Sequence, residues 1–250
     1  MLRVSVVTVA LVALAASGCG GGSHGVAEGH KARVRHCAAG TLKPVGSSDL
    51  AWAAAALRAT TAYRSPGGAA IRRFAELNAN GATTIFGVLG KTVDARCRAA
   101  WLHVALPMRP NGVTGWVRAA DVQESPVRTR ITVDLSERRV RLYKQGKLVL
   151  SAIAAIGSSA TPTPLGRYYV NQRLIPEDPN GPFGPGAVGI SAFSTVLTGW
   201  TQGGPIAIHG TNEPWSIGHA VSNGCIRLPN TTLEQVFREA IAGTPVIIRA

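Results

Sequence analysis

No run of five basic residues occurs in this chain, although lysine and arginine number 26 against 13 aspartate and glutamate. A formal charge of +13 attracts polyanions. The cations are scattered, however, which argues against a nucleic-acid-binding block and leaves an anionic membrane or cell-wall polymer as the partner. Cysteine is scarce, at four, and no CxxC pair exists; His209, His219 and Cys225 fit no common closed zinc spacing. The glycine-rich stretch Gly181-Pro182-Phe183-Gly184-Pro185-Gly186 is stiffened by proline and lacks the Lys-Ser/Thr of a phosphate cradle. No internal repeat stands out, and no apolar run is long enough to span a bilayer comfortably. Neither a metal nor an organic cofactor is therefore expected. What is present suits folded cores: 46% hydrophobic and 6% aromatic residues, with 29 glycines and 15 prolines marking many turns.

The first segment is an address. Met1-Leu2-Arg3, an apolar run from Val4 to Ala16 and the small residues Ser17-Gly18 form a secretory signal over 1–18. Ala16-Ser17-Gly18-Cys19 resembles a bacterial lipobox, which implies that Cys19 is the lipidated first residue of the mature protein. An ordinary cleaved signal with an incidental cysteine is the other reading. Gly20-Gly21-Gly22-Ser23 follows as a flexible tether. The expected location is extracytoplasmic, anchored to the cell membrane, where disulfides persist and nucleic acid is not a partner. There a Cys37–Cys97 bridge would close a loop of about 60 residues, worth roughly 4 kcal/mol by chain entropy; two buried free thiols are the alternative.

Residues 19–57 read as a lipidated tether and linker, with an alanine-rich stretch from Ala51 to Ala56 that suggests a short helix. From 58 to 123, short strand-like runs alternate with turn signals such as Ser65-Pro66-Gly67-Gly68 and Pro110-Asn111-Gly112, the pattern of a small barrel. Tyr63-Arg64-Ser65-Pro66 and Gly115-Trp116-Val117 resemble a bacterial SH3-like module, which implies wall-peptide binding or the positioning of a neighbouring domain. Glu124-Ser125-Pro126 is the expected boundary.

Beyond it, Ile131–Leu135 and Arg139–Tyr143 alternate apolar with polar residues, as half-buried strands do. Lys144-Gln145-Gly146-Lys147 reads as a turn into Leu148-Val149-Leu150. One late helix is expected, capped by Asn230 or Thr231 and ended by Gly243, with Leu233, Val236, Phe237, Ala240 and Ile241 on its apolar face. Val246-Ile247-Ile248 is a final strand. The fold class is mainly β: a small barrel, then a β-rich domain over 128–250.

The chemistry concentrates between 206 and 228. An apolar strand delivers His209, and Ser222-Asn223-Gly224-Cys225 sets a cysteine in a tight turn. A thiol attacks a carbonyl as thiolate, and an imidazole can take its proton and return it to a leaving amine. The imidazole needs an orienting acceptor, carbonyl or carboxylate, and backbone N–H groups of the turn can hold an oxyanion. His219 is a rival base or an exposed loop residue. Trp200 and Trp215 line a groove or pack in the core. Glu213 reads as a solvated loop charge.

His209-Gly210 followed by Ser222-Asn223-Gly224-Cys225-Ile226-Arg227-Leu228 resembles the signature of the L,D-transpeptidases with a YkuD-like catalytic domain. Thr163-Pro164-Leu165-Gly166 is similar to the family's strand entry, and Gly189-Ile190-Ser191 to a segment before the catalytic histidine. The resemblance implies a peptidoglycan enzyme without cofactor. Cys225 would form a thioester with the third residue of a stem peptide and expel the terminal D-Ala. His209 would be base then acid, oriented by the Gly210 carbonyl, and the Gly224 and Cys225 amides would form the oxyanion hole. Arg227 would hold substrate or buttress the loop, and Ser222 would bond within the turn. Many members carry histidine where this chain has Asn223. The expected reaction is 3→3 cross-linking of stem peptides. Alternatives are an L,D-carboxypeptidase that uses water as acceptor and a non-catalytic wall-binding lipoprotein.

Overall fold

Alternating apolar and polar residues carry most of the chain into strands, and a computed structural model describes residues 37–250. The signal, Cys19 and the start of the tether lie outside the described residues. Strands β1 (Lys43–Pro44), β2 (Ala51–Ala56), β3 (Thr60–Tyr63), β4 (Ala70–Phe74), β5 (Ile85–Val93), β6 (Ala99–Ala105), β7 (Thr114–Arg118) and β8 (Val122–Val127) form one antiparallel sheet, in the order β4-β3-β7-β6-β5-β2-β8 with β1 on β5. A disulfide joins Cys37 to Cys97, with Cα atoms 5.1 Å apart.

The sheet begins earlier and ends later than the sequence suggested. Ala51–Ala56 is a strand, not a linker helix, because β5 and β8 pair with it on both sides. Two ladders of hydrogen bonds outweigh alanine's helical preference. The expected boundary Glu124-Ser125-Pro126 lies inside β8, an edge strand where proline is tolerated.

The second part comprises β9 (Thr129–Asp134), β10 (Arg139–Lys144), β11 (Lys147–Ile153), β12 (Ile156–Gly157), β13 (Gly166–Leu174), β14 (Ala187–Phe193), β15 (Pro205–His209), β16 (Ala220–Ser222), β17 (Ile226–Arg227), helix α1 (Asn230–Glu239) and β18 (Pro245–Arg249). Its main sheet runs β11-β10-β9-β18-β13-β14-β15-β17, and β12 pairs with β16 apart from it. Gln145 and Gly146 take positive φ in a two-residue turn between β10 and β11, as the sequence suggested. The molecule is mainly β, with one α-helix among the described residues and none long and apolar enough to cross a membrane.

One face of this sheet is apolar: Ile131, Val133, Val170, Val188, Ile190, Ile206, Ile208 and Ile226 are buried with Leu233 and Val236 of α1. Burying each such helix side chain is worth about 1.5–3 kcal/mol. The helix differs from expectation at both ends. No side chain caps it, and it stops at Glu239, before Gly243. Gly243 serves a close approach: its φ is +88°, and a Cβ there would lie 2.2 Å from the Ala53 Cβ of the first sheet.

The opposite face docks the first sheet. Tyr169, 3% exposed, donates its hydroxyl to the carbonyls of Ile85 (2.9 Å) and Ala105 (3.3 Å). Burial pushes this phenol far above its ordinary pKa, so it remains a donor. Asn111 pairs both backbone groups of Phe193, at 2.8 and 2.9 Å. Tyr169→Phe removes the buried bonds and is expected to lower unfolding stability by about 1–2 kcal/mol, read as an earlier urea midpoint with unchanged far-UV circular dichroism.

Candidate active site

Strands β15 and β17 run parallel, with Ile208 beside Ile226 and His209 beside Arg227. Both isoleucines are fully buried in the core. A strand's side chains alternate between faces, so Ala207, His209, Cys225 and Arg227 share the other face. Cys225 immediately precedes β17, so by extension of the register it lies diagonally from His209 across a strand spacing of about 4.8 Å. The two residues the sequence singled out thus fall on one face of the sheet, on neighbouring elements.

His209 is 4% exposed, and its Nδ1 lies 2.5 Å from the Gly210 carbonyl oxygen. An oxygen there requires Nδ1 to carry the hydrogen, which leaves the Nε2 lone pair free. The Phe183 ring meets the imidazole edge-on at 5.0 Å between centroids. Burial lowers the His209 pKa to about 4; the Gly210 carbonyl opposes this and the Arg227 charge adds to it. Cys225 is half-buried and its thiol is pushed up by burial, against the Ala207 backbone N–H and the Arg227 charge. The resting pair is a neutral thiol and a neutral imidazole.

The turn before Cys225 is clamped from within. Ser222 Oγ accepts the Gly224 N–H at 3.1 Å and donates to the Cys225 carbonyl at 2.5 Å. Gly224 holds φ +107°, a conformation that side chains rarely adopt. Thr163 donates to the Gly224 carbonyl (2.9 Å) while accepting the Gly157 N–H (2.9 Å), and Thr161 donates to the Ser222 carbonyl (3.0 Å). The Thr163-Pro164 segment is therefore the turn's underlay. One expectation changes: the Gly224 N–H is occupied by Ser222 and is not presented as an oxyanion donor. No side chain takes the Cys225 N–H among the described residues.

Arg227 Nη1 pairs with Glu213 Oε2, and its buried Nε has no hydrogen-bond partner. Glu213 is therefore a loop anchor rather than a solvated charge. Asn223 is exposed at the turn, its Oδ1 3.5 Å from Thr161 Oγ1. His219 is exposed, and Trp200 and Trp215 lie at the surface rather than in the core. Among the described residues no cluster of His, Cys, Asp and Glu could hold a metal ion.

Sequence reasoning missed Asn230. Its Oδ1 accepts the Thr211 N–H at 2.8 Å. That N–H and the Gly210 C=O belong to one peptide plane, so Asn230 holds the group that orients His209. A Cβ on Gly184 or Gly210 would lie 2.5 or 2.4 Å from this same oxygen, which explains both glycines. Phe183 was also missed, because its loop carries no periodic signal.

Residues 128–248 match the family model described as the L,D-transpeptidase catalytic domain, YkuD. This region is similar to YkuD catalytic domains. The YkuD protein of Bacillus licheniformis is 39% identical over 119 residues, covering 48% of this chain and 64% of that protein. Its Bacillus subtilis namesake is 34% identical over 118 residues, 47% of this chain and 64% of that protein. The chain thus spans less than two thirds of the length of these relatives. An Enterococcus faecium L,D-transpeptidase aligns at 26% identity over 48% of this chain and 49% of that one, with a TM-score of 0.37.

Within residues 128–248, Asn230→Ala frees the Gly210–Thr211 peptide. Alkylation of Cys225 by iodoacetamide at neutral pH is expected to slow about tenfold, a part of what a positioned base supplies. Asn230→Asp keeps the acceptor and is expected to retain most of the rate.

Proposed function

We propose that this chain is an L,D-transpeptidase that cross-links peptidoglycan stem peptides through a Cys225 thioester. The observation that carries this reading is the shared face of β15 and the start of β17, where a neutral imidazole with a fixed tautomer lies diagonally from the only free thiol among the described residues. In the reading, His209 Nε2 takes the thiol proton as Sγ bonds to the donor carbonyl carbon. The Cys225 N–H stabilises the oxyanion. Collapse breaks the C–N bond, and the departing amine takes the proton from Nε2. An amine of a second stem peptide then attacks the thioester, gives its proton to Nε2, and leaves an amide and a restored thiol. Arg227 disfavours a lasting imidazolium while favouring thiolate and oxyanion.

The N-terminal signal and the Cys19 lipobox support a membrane-anchored, extracytoplasmic enzyme. A charge of +13 suits an anionic wall. The docking of the first sheet through Tyr169 and Asn111 supports a role for it in positioning residues 128–250.

Intact-mass measurement tests the reading. The parent chain is expected to gain a covalent adduct from a stem tetrapeptide or a carbapenem, and Cys225→Ala is expected to gain none. An adduct retained by Cys225→Ala rejects the assignment. Peptide dimers among the products report transfer, whereas tripeptide alone reports hydrolysis. A second prediction concerns pH. A base lowered to about 4 is unprotonated above that value, so kcat/KM for acylation is expected to fall on the acid side near pH 4. An acid limb near 6.5, the ordinary histidine value, contradicts a buried neutral base.

A further inference from the structure

A cavity of about 360 Å³ opens between β4 with its following loop and the ends of β13, β14 and β15. None of His209, Gly210, Cys225 and Arg227 lines it, so it is separate from the candidate active site. Arg72 and Arg73 reach it from the edge strand β4, both exposed and neither in an ion pair among the described residues. No acidic residue lines it. A cleft lined by one sign of charge focuses its field on an anion inside.

The two sheets build the remaining polar wall jointly and fix its amides. Gln172 Oε1 accepts Asn78 Nδ2 at 2.9 Å and Asn80 Nδ2 at 3.0 Å, and Gln202 Nε2 donates to Asn80 Oδ1 at 2.9 Å. β13 is bulged at this point: Val170 pairs with Ile190 and Gln172 with Gly189, which leaves Asn171 as the extra residue. A bulge re-aims a side chain that alternation would send to the other face. Asn171 and Gln172 therefore both lie over Gly189, at 3.1 and 2.6 Å from where its Cβ would be, and both line the cavity. Asn171 Oδ1 is buried without a hydrogen-bond partner. The amide can turn to a ligand without giving up a bond at that oxygen, and it gains one from an N–H or O–H that enters.

These features narrow the ligand. It carries an anion for the arginines. Its donor is neutral, because an amine would meet two cations and no acid. Side-chain amides offer N–H and C=O side by side, which suits the neighbouring hydroxyls of a sugar, and Phe193 with Pro205 gives the cavity an apolar flank for a ring's C–H face. The volume is at the small end of ligand pockets, which run from about 300 to 1,000 Å³, so one unit enters rather than a chain. We propose that this cavity binds an N-acetylated sugar with a free carboxylate, which Arg72 and Arg73 hold while Asn171 accepts the acetamido N–H. In a cell wall that chemistry belongs to N-acetylmuramic acid whose lactyl carboxylate carries no peptide. The site holds the protein to glycan and leaves the Cys225 face open. The inference goes beyond the acyl-transfer reading and does not rest on it.

Calorimetry on the full chain tests this with three probes: N-acetylmuramic acid, the neutral N-acetylglucosamine, and N-acetylalanine, which has the N–H and the carboxylate without the ring. At low salt N-acetylmuramic acid is expected to bind about tenfold tighter than either of the others. Arg72→Gln with Arg73→Gln is expected to reduce it to the level of N-acetylglucosamine; both side chains are exposed, so the fold is not at risk. Asn171→Ala is expected to weaken it about fivefold. Saturating N-acetylmuramic acid is expected to leave the alkylation of Cys225 by iodoacetamide at its unliganded rate. Absent binding, or equal affinity for the two sugars, overturns the proposal, as does a preference that survives the double substitution. N-acetylalanine binding as tightly as N-acetylmuramic acid overturns the sugar assignment in favour of a peptide terminus. Protection of Cys225 from alkylation puts the ligand at the sulfur and overturns the separate site. None of these outcomes decides thioester formation, which intact mass reads independently.

Discussion

The site depends on the register between β15 and β17. Because side chains alternate with a period of two, pairing Ile208 with Ile226 fixes which residues enter the core and which form the reactive face. A slip by one residue on either strand would drive an imidazole or a thiol into hydrocarbon and expose an isoleucine. The core thus enforces the geometry of the chemistry. Two fully buried isoleucines hold the register, and the helix residues Leu233 and Val236 pack into the same cluster. The diagonal placement of His209 and Cys225 is a by-product of burying that cluster.

Electrostatics explains why no carboxylate is needed behind the imidazole. An ionised partner would raise the pKa of His209 and favour a standing thiolate–imidazolium pair. Here the orienting group is a neutral carbonyl, burial works against charge on both partners, and Arg227 works against the imidazolium alone. In the proposed reaction, proton transfer is then favourable only as the carbonyl is attacked and negative charge moves to oxygen. Glycine at 184, 210 and 224 is the steric counterpart of this arrangement. Two of the three make room for the Asn230 oxygen, and the third permits the turn that presents the sulfur.

What the sequence revealed and what it hid follow from how local each feature is. The strands of the second sheet were legible because alternation is written residue by residue, as in Arg139–Lys144. His209 and Cys225 were legible because their turn chemistry and neighbours are contiguous. Ala51–Ala56 was misread because its strand character comes from partners 30 or more residues away on both sides. Asn230 looked like a helix cap, since an asparagine before an apolar run usually is one; only the fold shows that its oxygen turns to Thr211. Glu213 and Arg227 are 14 residues apart and gave no periodic signal of pairing. The Gly224 amide was assigned from the motif, but the Ser222 hydroxyl two residues earlier occupies it.

The face that holds the chemistry also holds the first sheet. Tyr169, Ser191 and Phe193 lie on it, as do Ala207, His209 and Cys225 by alternation. The first sheet thus shares a face with the chemistry, and Gly189 between them is buried beneath the side chains of Asn171 and Gln172. A Cβ at Gly189 would lie 2.6 Å from Gln172 Cγ, so a larger residue there would displace the amide that accepts hydrogen bonds from Asn78 and Asn80 of the loop after β4. Packing at the junction is what this glycine serves, and the hydrogen bonds of Tyr169 and Asn111 fix the same junction.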